Sequence, residues 1–414
     1  MMEAPLTSPS FRYRRIVVGL LFSVTAINYL DRQTLSVIAP LLEKHLSFST
    51  IGYSRVVFVF MLGYTIGQTL DGKLIDRFGS RRGLLCCVAL WSAVSMLHSL
   101  VAGVISLGIL RFFLGLAEAG NWPGGTKAVG ETIPPEQRAF ALGVFNSGST
   151  AGAIIAPPLV VAIVGLWGRR PMFLVIGVTG VAWVLLWDKL YRKEPTPAPA
   201  IDLHQFPTRA LLRDKAVWGL MIGRFFSDPT WWFYAFWLPE YLVQSRGFSL
   251  AEVGRTAWIP FAFAGAGGWL GGLASDGLVR KGFAPVKARK IVMVIGAALM
   301  LCGVSAFLVR NHDLALALIS VVVFGFTGWA TNILGLTADI FPGEVVAQVT
   351  GLHGTSAAIG GMVFTLATGW LVQNVSYGSV FIVSSGMTIC AAGAILWLVA
   401  DTRGAEARSR YGEK

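Results

Sequence analysis

Long apolar runs follow one another along almost the whole chain and leave little room for a water-exposed surface. Examples are "IVVGLLFSVTAI", "GLLCCVALWSAVSMLHSLVAGVISL" and "IVMVIGAALMLCGVSAFLV". An α-helix needs about 20 apolar residues to cross a bilayer. Only 14% of the 414 residues are charged, against about 25% in a soluble domain. The pattern predicts a polytopic α-helical membrane protein and disfavours a soluble enzyme with a large core.

The apolar runs divide into twelve predicted spans. They cover residues 14–40, 51–72, 83–103, 105–130, 138–163, 171–191, 214–243, 252–274, 289–309, 313–338, 346–373 and 377–399. The stretch after the sixth span is rich in proline and charge, which is typical of a linker. The sequence therefore predicts a first half at 1–188, a cytoplasmic linker at 189–213 and a second half at 214–414.

The basic residues are distributed unevenly between the two sides of the predicted membrane. If the N-terminus is cytoplasmic, 23 of the 34 lysines and arginines lie in inner segments and 7 lie in outer loops. This is the positive-inside pattern, and it predicts that both termini are cytoplasmic. The same bias accounts for the net charge of +12 without a nucleic-acid partner.

The sequence lacks the usual signatures of enzymes, metal sites and secreted proteins. The four cysteines all fall in predicted spans, without metal-ligand or disulfide spacing: Cys86, Cys87, Cys302 and Cys390. In "AGNWPGGTKAVGE", Gly120 and Gly125 have the spacing of a nucleotide-binding loop, but Thr126 replaces its lysine. The N-terminal apolar run lacks a small-residue cleavage site and is interpreted as the first span. No catalytic residue, metal or cofactor is predicted.

The two halves carry matching glycine, proline and acidic residues at two similar offsets. Gly72 and Asp76 recur at an offset of 200 as Gly272 and Asp276. At an offset of 208 five more pairs match: Glu131 and Asp339, Pro134 and Pro342, Glu136 and Glu344, Gly143 and Gly351, and Gly152 and Gly360. The acidic members of these pairs are expected to form salt bridges. Parallel six-helix repeats are typical of carriers that rock around a central site.

Several motifs resemble those of known transporters. Residues 72–82, "GKLIDRFGSRR", look like the signature loop of the major facilitator superfamily. Within it Asp76, Arg77 and Arg81 are interpreted as a cytoplasmic gate. "NYLDR", "GLAEAGNWPGGTKAV", "QRAFALG" and "DPTWWFYAFWLPEYL" look like the anion:cation symporter family, and the last two resemble bacterial hexuronate and aldonate carriers. The resemblance covers nearly the whole chain and implies twelve transmembrane helices in two pseudo-symmetric halves, in a bacterial inner membrane.

Charged residues at membrane depth are the strongest candidates for function. Counted at 1.5 Å per residue from the cytoplasmic end, Glu118 lies about 20 Å deep, Asp31 about 24 Å and Arg111 about 30 Å. Such residues usually pair or line a cavity, so the three are expected to form one network. The resemblance implies that Asp31 and Glu118 carry protons, with Arg111 as their counter-charge. The alternative is that Arg111 and Glu118 form a purely structural pair.

Arg32 points about 100° away from its neighbour Asp31 on a helix. It is expected to face the central cavity as an unpaired cation that binds an anion through bidentate hydrogen bonds. A structural cation is the alternative. Tyr29, Tyr64 and Gln68 resemble the family's sugar-contacting positions, although either tyrosine could instead serve only in packing.

The second half offers a further cation in the predicted seventh span. Arg224 resembles a ligand-facing position of the family, and a salt bridge to Asp228 four residues later is the alternative reading. Other polar residues of the spans are interpreted as substrate contacts: Asn146, Ser149, Thr331, Asn332 and His353. For His353 the alternative is a packed histidine.

These features predict a proton-coupled symporter that imports an organic anion by alternating access. A hexuronate such as glucuronate or galacturonate is the favoured substrate. An aldonate, an aldarate or an aromatic carboxylate remains an alternative, as do sodium coupling and a receptor with a transporter fold. The predicted partners are the anion, protons and the lipid bilayer, and the protein is expected to be monomeric.

Overall fold

The computed structural model is helical through nearly all of the residues that it describes. These are 11–133, 135–191, 208–341 and 343–400. Within them the description leaves out the side chains of 135–140 and 343–348 and of six single residues: Thr69, Lys73, Asp76, Arg77, Thr208 and Ala210. Most of the predicted linker lies outside the described ranges.

The described residues form fifteen α-helices and one short 3-10 helix, His98–Leu100. The α-helices are α1 Phe11–Leu46, α2 Thr50–Leu97, α3 Val104–Glu118, α4 Asn121–Thr132, α5 Pro135–Trp167, α6 Arg169–Leu190, α7 Thr208–Leu211, α8 Lys215–Gln244, α9 Leu250–Thr256, α10 Ile259–Arg280, α11 Pro285–Met300, α12 Cys302–Leu308, α13 His312–Ile340, α14 Gly343–Asn374 and α15 Tyr377–Leu398.

The helices account for all twelve predicted spans. α2 holds the second and third spans, which join at Gly79 with φ 80° and ψ 162°, a left-handed conformation that glycine adopts without strain. The fourth, eighth and ninth spans each consist of two successive helices, α3–α4, α9–α10 and α11–α12. The prediction of an all-α membrane protein is confirmed.

Nine helical segments of the described chain are long and apolar enough by themselves to cross a membrane. The predicted spans that are not among them are the first, the seventh and the eighth, on α1, α8 and α9–α10. α1 carries Asp31 and Arg32, and α8 carries Arg224 and Asp228. These four charges therefore lie on two of the helices with the weakest membrane signal, because each charge lowers the mean hydropathy, whereas Arg111 and Glu118 lie on a segment that qualifies as a span.

The helices group into two compact units. The first comprises Met1–Thr34 and Val59–Ala200, and the second comprises Leu35–Phe58 and Ile201–Lys414. In the second unit, the Tyr53 hydroxyl of α2 donates to the Phe236 carbonyl of α8 at 2.6 Å, and its ring packs edge-on against Trp237. The end of α1 and the start of α2 thus pack with helices of the second half. The predicted division at the linker stays a prediction.

Glycines allow the helices of the first unit to approach closely. A Cβ atom at Gly115 of α3 would collide with the Phe60 carbonyl of α2, and one at Gly63 of α2 would collide with the Phe112 carbonyl of α3. Small residues at such crossings are typical of membrane helix pairs. The close crossing holds α3, which carries the predicted acid and arginine, against α2.

Candidate functional site

A buried ion pair joins α1 to α3 in the first unit. Arg32 donates through Nη2 and Nε to Glu118 Oε2, at 3.0 and 3.2 Å. The two side chains are only 2% and 0% exposed. Asn28, one turn before Arg32 on α1, accepts a hydrogen bond from Nη2 at 3.2 Å. These partners compensate a cation that would otherwise be costly to bury.

Three aromatic rings surround the same guanidinium. The Arg32 Cζ atom lies 4.8 Å from the ring centre of Tyr29, 4.7 Å from that of Tyr64 and 5.4 Å from that of Phe60. At these distances the ring faces attract the cation. The structure therefore brings two predicted sugar-contacting residues to the predicted anion-binding arginine, and it adds Phe60, which the sequence did not single out.

The pairing within the network differs from the expectation in one respect. The sequence predicts an unpaired Arg32, but its guanidinium donates two hydrogen bonds to Glu118. Asp31 accepts from the Ser95 hydroxyl at 3.1 Å, and the charge of Arg111 acts on it. Residue spacing along a helix predicts relative depth but not the rotation of the helix about its axis, and this rotation selects the partners of each side chain.

The second unit holds a separate polar cluster around Arg224. Its guanidinium forms a salt bridge to Asp228 within α8, and the role of Arg224 toward a substrate stays a prediction. Nη1 lies 3.3 Å from Nδ1 of His353, and His353 Nε2 lies 3.3 Å from the Thr337 hydroxyl. The Arg224 side chain keeps 21% of its surface exposed, whereas His353 is fully buried.

The other predicted contact residues either bind the backbone or are exposed. Asn332 is buried and donates to the carbonyls of Gly271 and Gly328, at 3.1 and 2.8 Å, which ties α13 to α10. The Ser149 hydroxyl donates to the backbone carbonyl of Asn146 at 2.7 Å. The side chains of three predicted contact residues are exposed: Gln68, Asn146 and Thr331.

The predicted cytoplasmic gate is described only in part. Arg81 donates to the Asp188 carboxylate at 3.0 Å. Both side chains are well exposed, and a surface pair of this kind contributes little stability. The side chains of Asp76 and Arg77 lie outside the described part of the chain.

The acidic repeat pairs form polar contacts near the helix ends. Arg289 binds Asp276 at 2.9 Å and Asp339 at 3.2 Å, which confirms the expected salt bridge of Asp339. Glu131 accepts from the hydroxyl groups of Ser80 and Tyr191. The side chains of their repeat partners lie outside the described part of the chain: Glu136 and Glu344.

The described residues contain no group of three His, Cys, Asp or Glu side chains that could hold a metal ion. The polar chemistry described in the two units is that of ion pairs and hydrogen bonds. It suits reversible binding of protons and anions.

Helices of membrane-spanning length that bury charge pairs are typical of membrane transporters. The family model described as Major Facilitator Superfamily matches residues 21–334 and 284–414, and the chain belongs to this superfamily. It is therefore a multi-pass membrane protein with two six-helix halves and is not an enzyme.

Similar proteins match this chain over nearly its whole length. A "Hexuronate transporter" of Escherichia coli K12 is 29% identical over 410 residues, which cover 94% of each chain. A "Probable L-galactonate transporter" of the same strain is 30% identical over 418 residues, covering 95% of this chain and 92% of that one. A solved structure of a "D-xylose-proton symporter" superimposes with a TM-score of 0.77 at 18% identity, covering 95% and 99% of the two chains, and shows the same fold.

Proposed function

We propose that this protein is a proton-coupled symporter that imports a sugar acid, with a hexuronate as the favoured substrate. The similar transporters are named for hexuronate and L-galactonate, and each of these substrates joins one carboxylate to several hydroxyl groups. The observation that carries the proposal is the buried Arg32–Glu118 pair among aromatic rings. The site combines a cation for the carboxylate, rings for the carbon skeleton and phenol groups for the hydroxyls.

Glu118 and the substrate carboxylate compete for the guanidinium of Arg32, and this competition couples proton binding to anion binding. When Glu118 is ionised, it neutralises Arg32 at 3.0 Å. A proton on Glu118 removes that charge, and Arg32 then needs another anion. The substrate carboxylate supplies it through the paired N–H groups that a guanidinium offers. Loading of the proton and loading of the sugar acid therefore favour each other.

The geometry of Glu118 suits a proton carrier. Its second oxygen, Oε1, is buried and has no hydrogen-bond partner among the described residues, so a proton can occupy it without displacing Arg32 from Oε2. Asp31 provides a second carboxylate at similar depth, held by Ser95. Arg111 acts on Asp31 as a nearby positive charge and favours its ionised form after the proton leaves.

An aldonate is the second candidate substrate, and the similarity to the probable L-galactonate transporter favours it. A hexuronate closes into a ring, whereas an aldonate is an open chain with the same terminal carboxylate. Arg32 would bind either carboxylate in the same way, so the contacts of the remaining hydroxyl groups decide between them.

Purified protein should be stabilised against heat by its own substrate. A ligand that binds only the folded state adds about 2.7 kcal/mol at a concentration of 100 Kd. We expect glucuronate and galacturonate to raise the melting temperature most, L-galactonate to raise it less, and uncharged glucose to leave it unchanged. A rise with aromatic carboxylates alone, or with glucose, would contradict the assignment to sugar acids.

The positive-inside bias leads us to propose that both termini and the linker are cytoplasmic, in a bacterial inner membrane. In a chain whose native cysteines are replaced by serine, thiols introduced by Pro197→Cys or Arg408→Cys should be protected from an impermeant reagent applied to intact cells. A thiol introduced by Arg310→Cys, in a predicted outer loop, should react. Labelling of the first two from outside would reverse the proposed orientation.

A further inference from the structure

Two glutamates meet in the second unit, where the end of α1 packs near the end of α8. The Gln244 side-chain amide donates to both of them, to Glu43 Oε2 at 2.8 Å and to Glu240 Oε1 at 3.1 Å. Glu240 is fully buried, and Glu43 is half-buried. One neutral amide therefore bridges two acidic groups that are 197 residues apart in the sequence.

The two carboxyl groups also lie within hydrogen-bonding reach of each other. Ionised carboxylates can only accept hydrogen bonds, so a bond between the two requires that one of them carry a proton. Each has a second oxygen that is buried without a hydrogen-bond donor among the described residues, Glu43 Oε1 and Glu240 Oε2. These oxygens are the places where a shared proton can sit.

The hydroxyl group of Tyr377 also faces the glutamate pair. Tyr377 of α15 is 5% exposed, and its hydroxyl makes no regular hydrogen bond within the described part of the chain. The side chain is directed at the Glu240 carboxyl group. A buried phenol that faces an acidic pair can donate to whichever oxygen is left without the proton.

Among the residues that the structure describes, the charged and titratable groups that act on the pair do not include a cation. They are the two glutamates themselves, Tyr377, and Tyr53 through its neighbour Tyr377. Arg246, just beyond α8, is bound instead to the Tyr241 hydroxyl and to the carbonyl of Val309. The other nearby basic side chains in the sequence are exposed: Lys44, His45 and Arg55. Without a counter-charge, a fully buried carboxylate and a half-buried one beside it repel each other, which disfavours the state in which both are ionised.

We propose that Glu43 and Glu240 form a second proton-binding site, which holds one shared proton while the end of α1 is packed against α8. This proposal rests on the proposed function in one respect: the C-terminal ends of α1 and α8 lie outside the cell only if the proposed topology is correct. Around it, α2 is bound to α8 through Tyr53 and to α14 through the Gln373 side chain, which accepts from the Ile51 amide at 3.2 Å.

Alternating access requires these contacts to separate so that substrate can enter from outside. Once the shared proton leaves, two adjacent negative charges repel, and water stabilises them better than the protein interior does. The packed arrangement therefore binds one more proton than the separated one. Its population should fall by up to about tenfold for each pH unit of increase through the range where the pair titrates.

The test follows the accessibility of Ser54, which is 1% exposed and packs against Gly369 of α14. Ser54→Cys is introduced into a chain whose native cysteines are replaced by serine. An impermeant thiol reagent is applied to intact cells between about pH 5.5 and about pH 8.5, a range that includes the titration of buried glutamates. Rates are divided by those of an exposed thiol from Arg310→Cys, which removes the intrinsic pH dependence of the thiol.

The normalised labelling rate at Ser54→Cys should rise with pH, by up to about tenfold per unit. Adding Glu240→Gln should keep it low at every pH, because glutamine resembles the protonated acid and cannot ionise. Glu43→Gln should do the same. Asp313→Asn, which removes an exposed carboxylate from the first turn of α13, should leave the pH response unchanged.

The proposal is overturned if labelling of the parent chain does not change with pH, or if both glutamine variants retain the parental response. The measurement uses no substrate, so either result leaves the sugar-acid assignment standing. Conversely, a thermal-shift screen without any responding sugar acid would leave this proton site unaffected.

Discussion

Replacing Arg32 with alanine is expected to abolish sugar-acid binding while the protein still folds. The variant removes the guanidinium that lies 3.0 Å from Glu118 and is surrounded by Tyr29 and Tyr64. Losing one member of a buried charge pair costs about 2–5 kcal/mol of binding. At about 1.4 kcal/mol per factor of ten, this corresponds to a loss of affinity between about 30-fold and several thousand-fold. Calorimetric titration of the purified variant with glucuronate measures it.

Two companion variants separate binding from folding. Arg55→Ala removes an exposed arginine of α2 and should bind substrate as the unmodified protein does. Arg32→Ala leaves the Glu118 carboxylate buried without its main partner, at a cost of about 3–5 kcal/mol unless it takes up a proton. Adding Glu118→Gln should therefore recover part of the melting temperature without recovering affinity. Near-native affinity in folded Arg32→Ala would remove Arg32 from the substrate site.

Glu118→Gln is expected to separate substrate exchange from proton coupling. Glutamine keeps the size and the hydrogen bonding of the side chain, but it cannot carry a proton. Arg32 stays available to the anion at every pH, so substrate affinity should lose its pH dependence. Counterflow, in which labelled and unlabelled substrate exchange, should persist, whereas uphill uptake driven by a pH gradient should fall to the level without a gradient.

Proteoliposomes with an imposed pH gradient measure both activities of this variant on the same preparation. Asp313→Asn is the control, since Asp313 is an exposed carboxylate in the first turn of α13 and belongs to neither polar cluster. It should accumulate substrate as the unmodified protein does. If Glu118→Gln also concentrates substrate normally, Glu118 is structural and the proton must travel on Asp31 or Asp228.

The sequence by itself determined the helical architecture. Spans of about 20 apolar residues can satisfy their backbone hydrogen bonds in a bilayer as helices, and all twelve predicted spans are helical. The same reasoning selected the buried charges of the first unit, because a charge inside an apolar run is costly and is retained where it pairs or functions. Arg32, Glu118 and the two tyrosines beside them were all named from the sequence.

Only the tertiary structure decided which of these residues are partners. Depth follows from residue number at 1.5 Å per residue, but the rotation of a helix about its axis and the identity of its neighbours depend on packing. In the packed structure, Glu118 forms an ion pair with Arg32, and Ser95 donates a hydrogen bond to Asp31. The side chains of three predicted contact residues remain exposed: Gln68, Asn146 and Thr331. Packing also placed Leu35–Phe58 with the second unit. Glu240 lies in the motif "DPTWWFYAFWLPEYL", but nothing in the sequence pairs it with Glu43, because their proximity depends on how the ends of α1 and α8 pack.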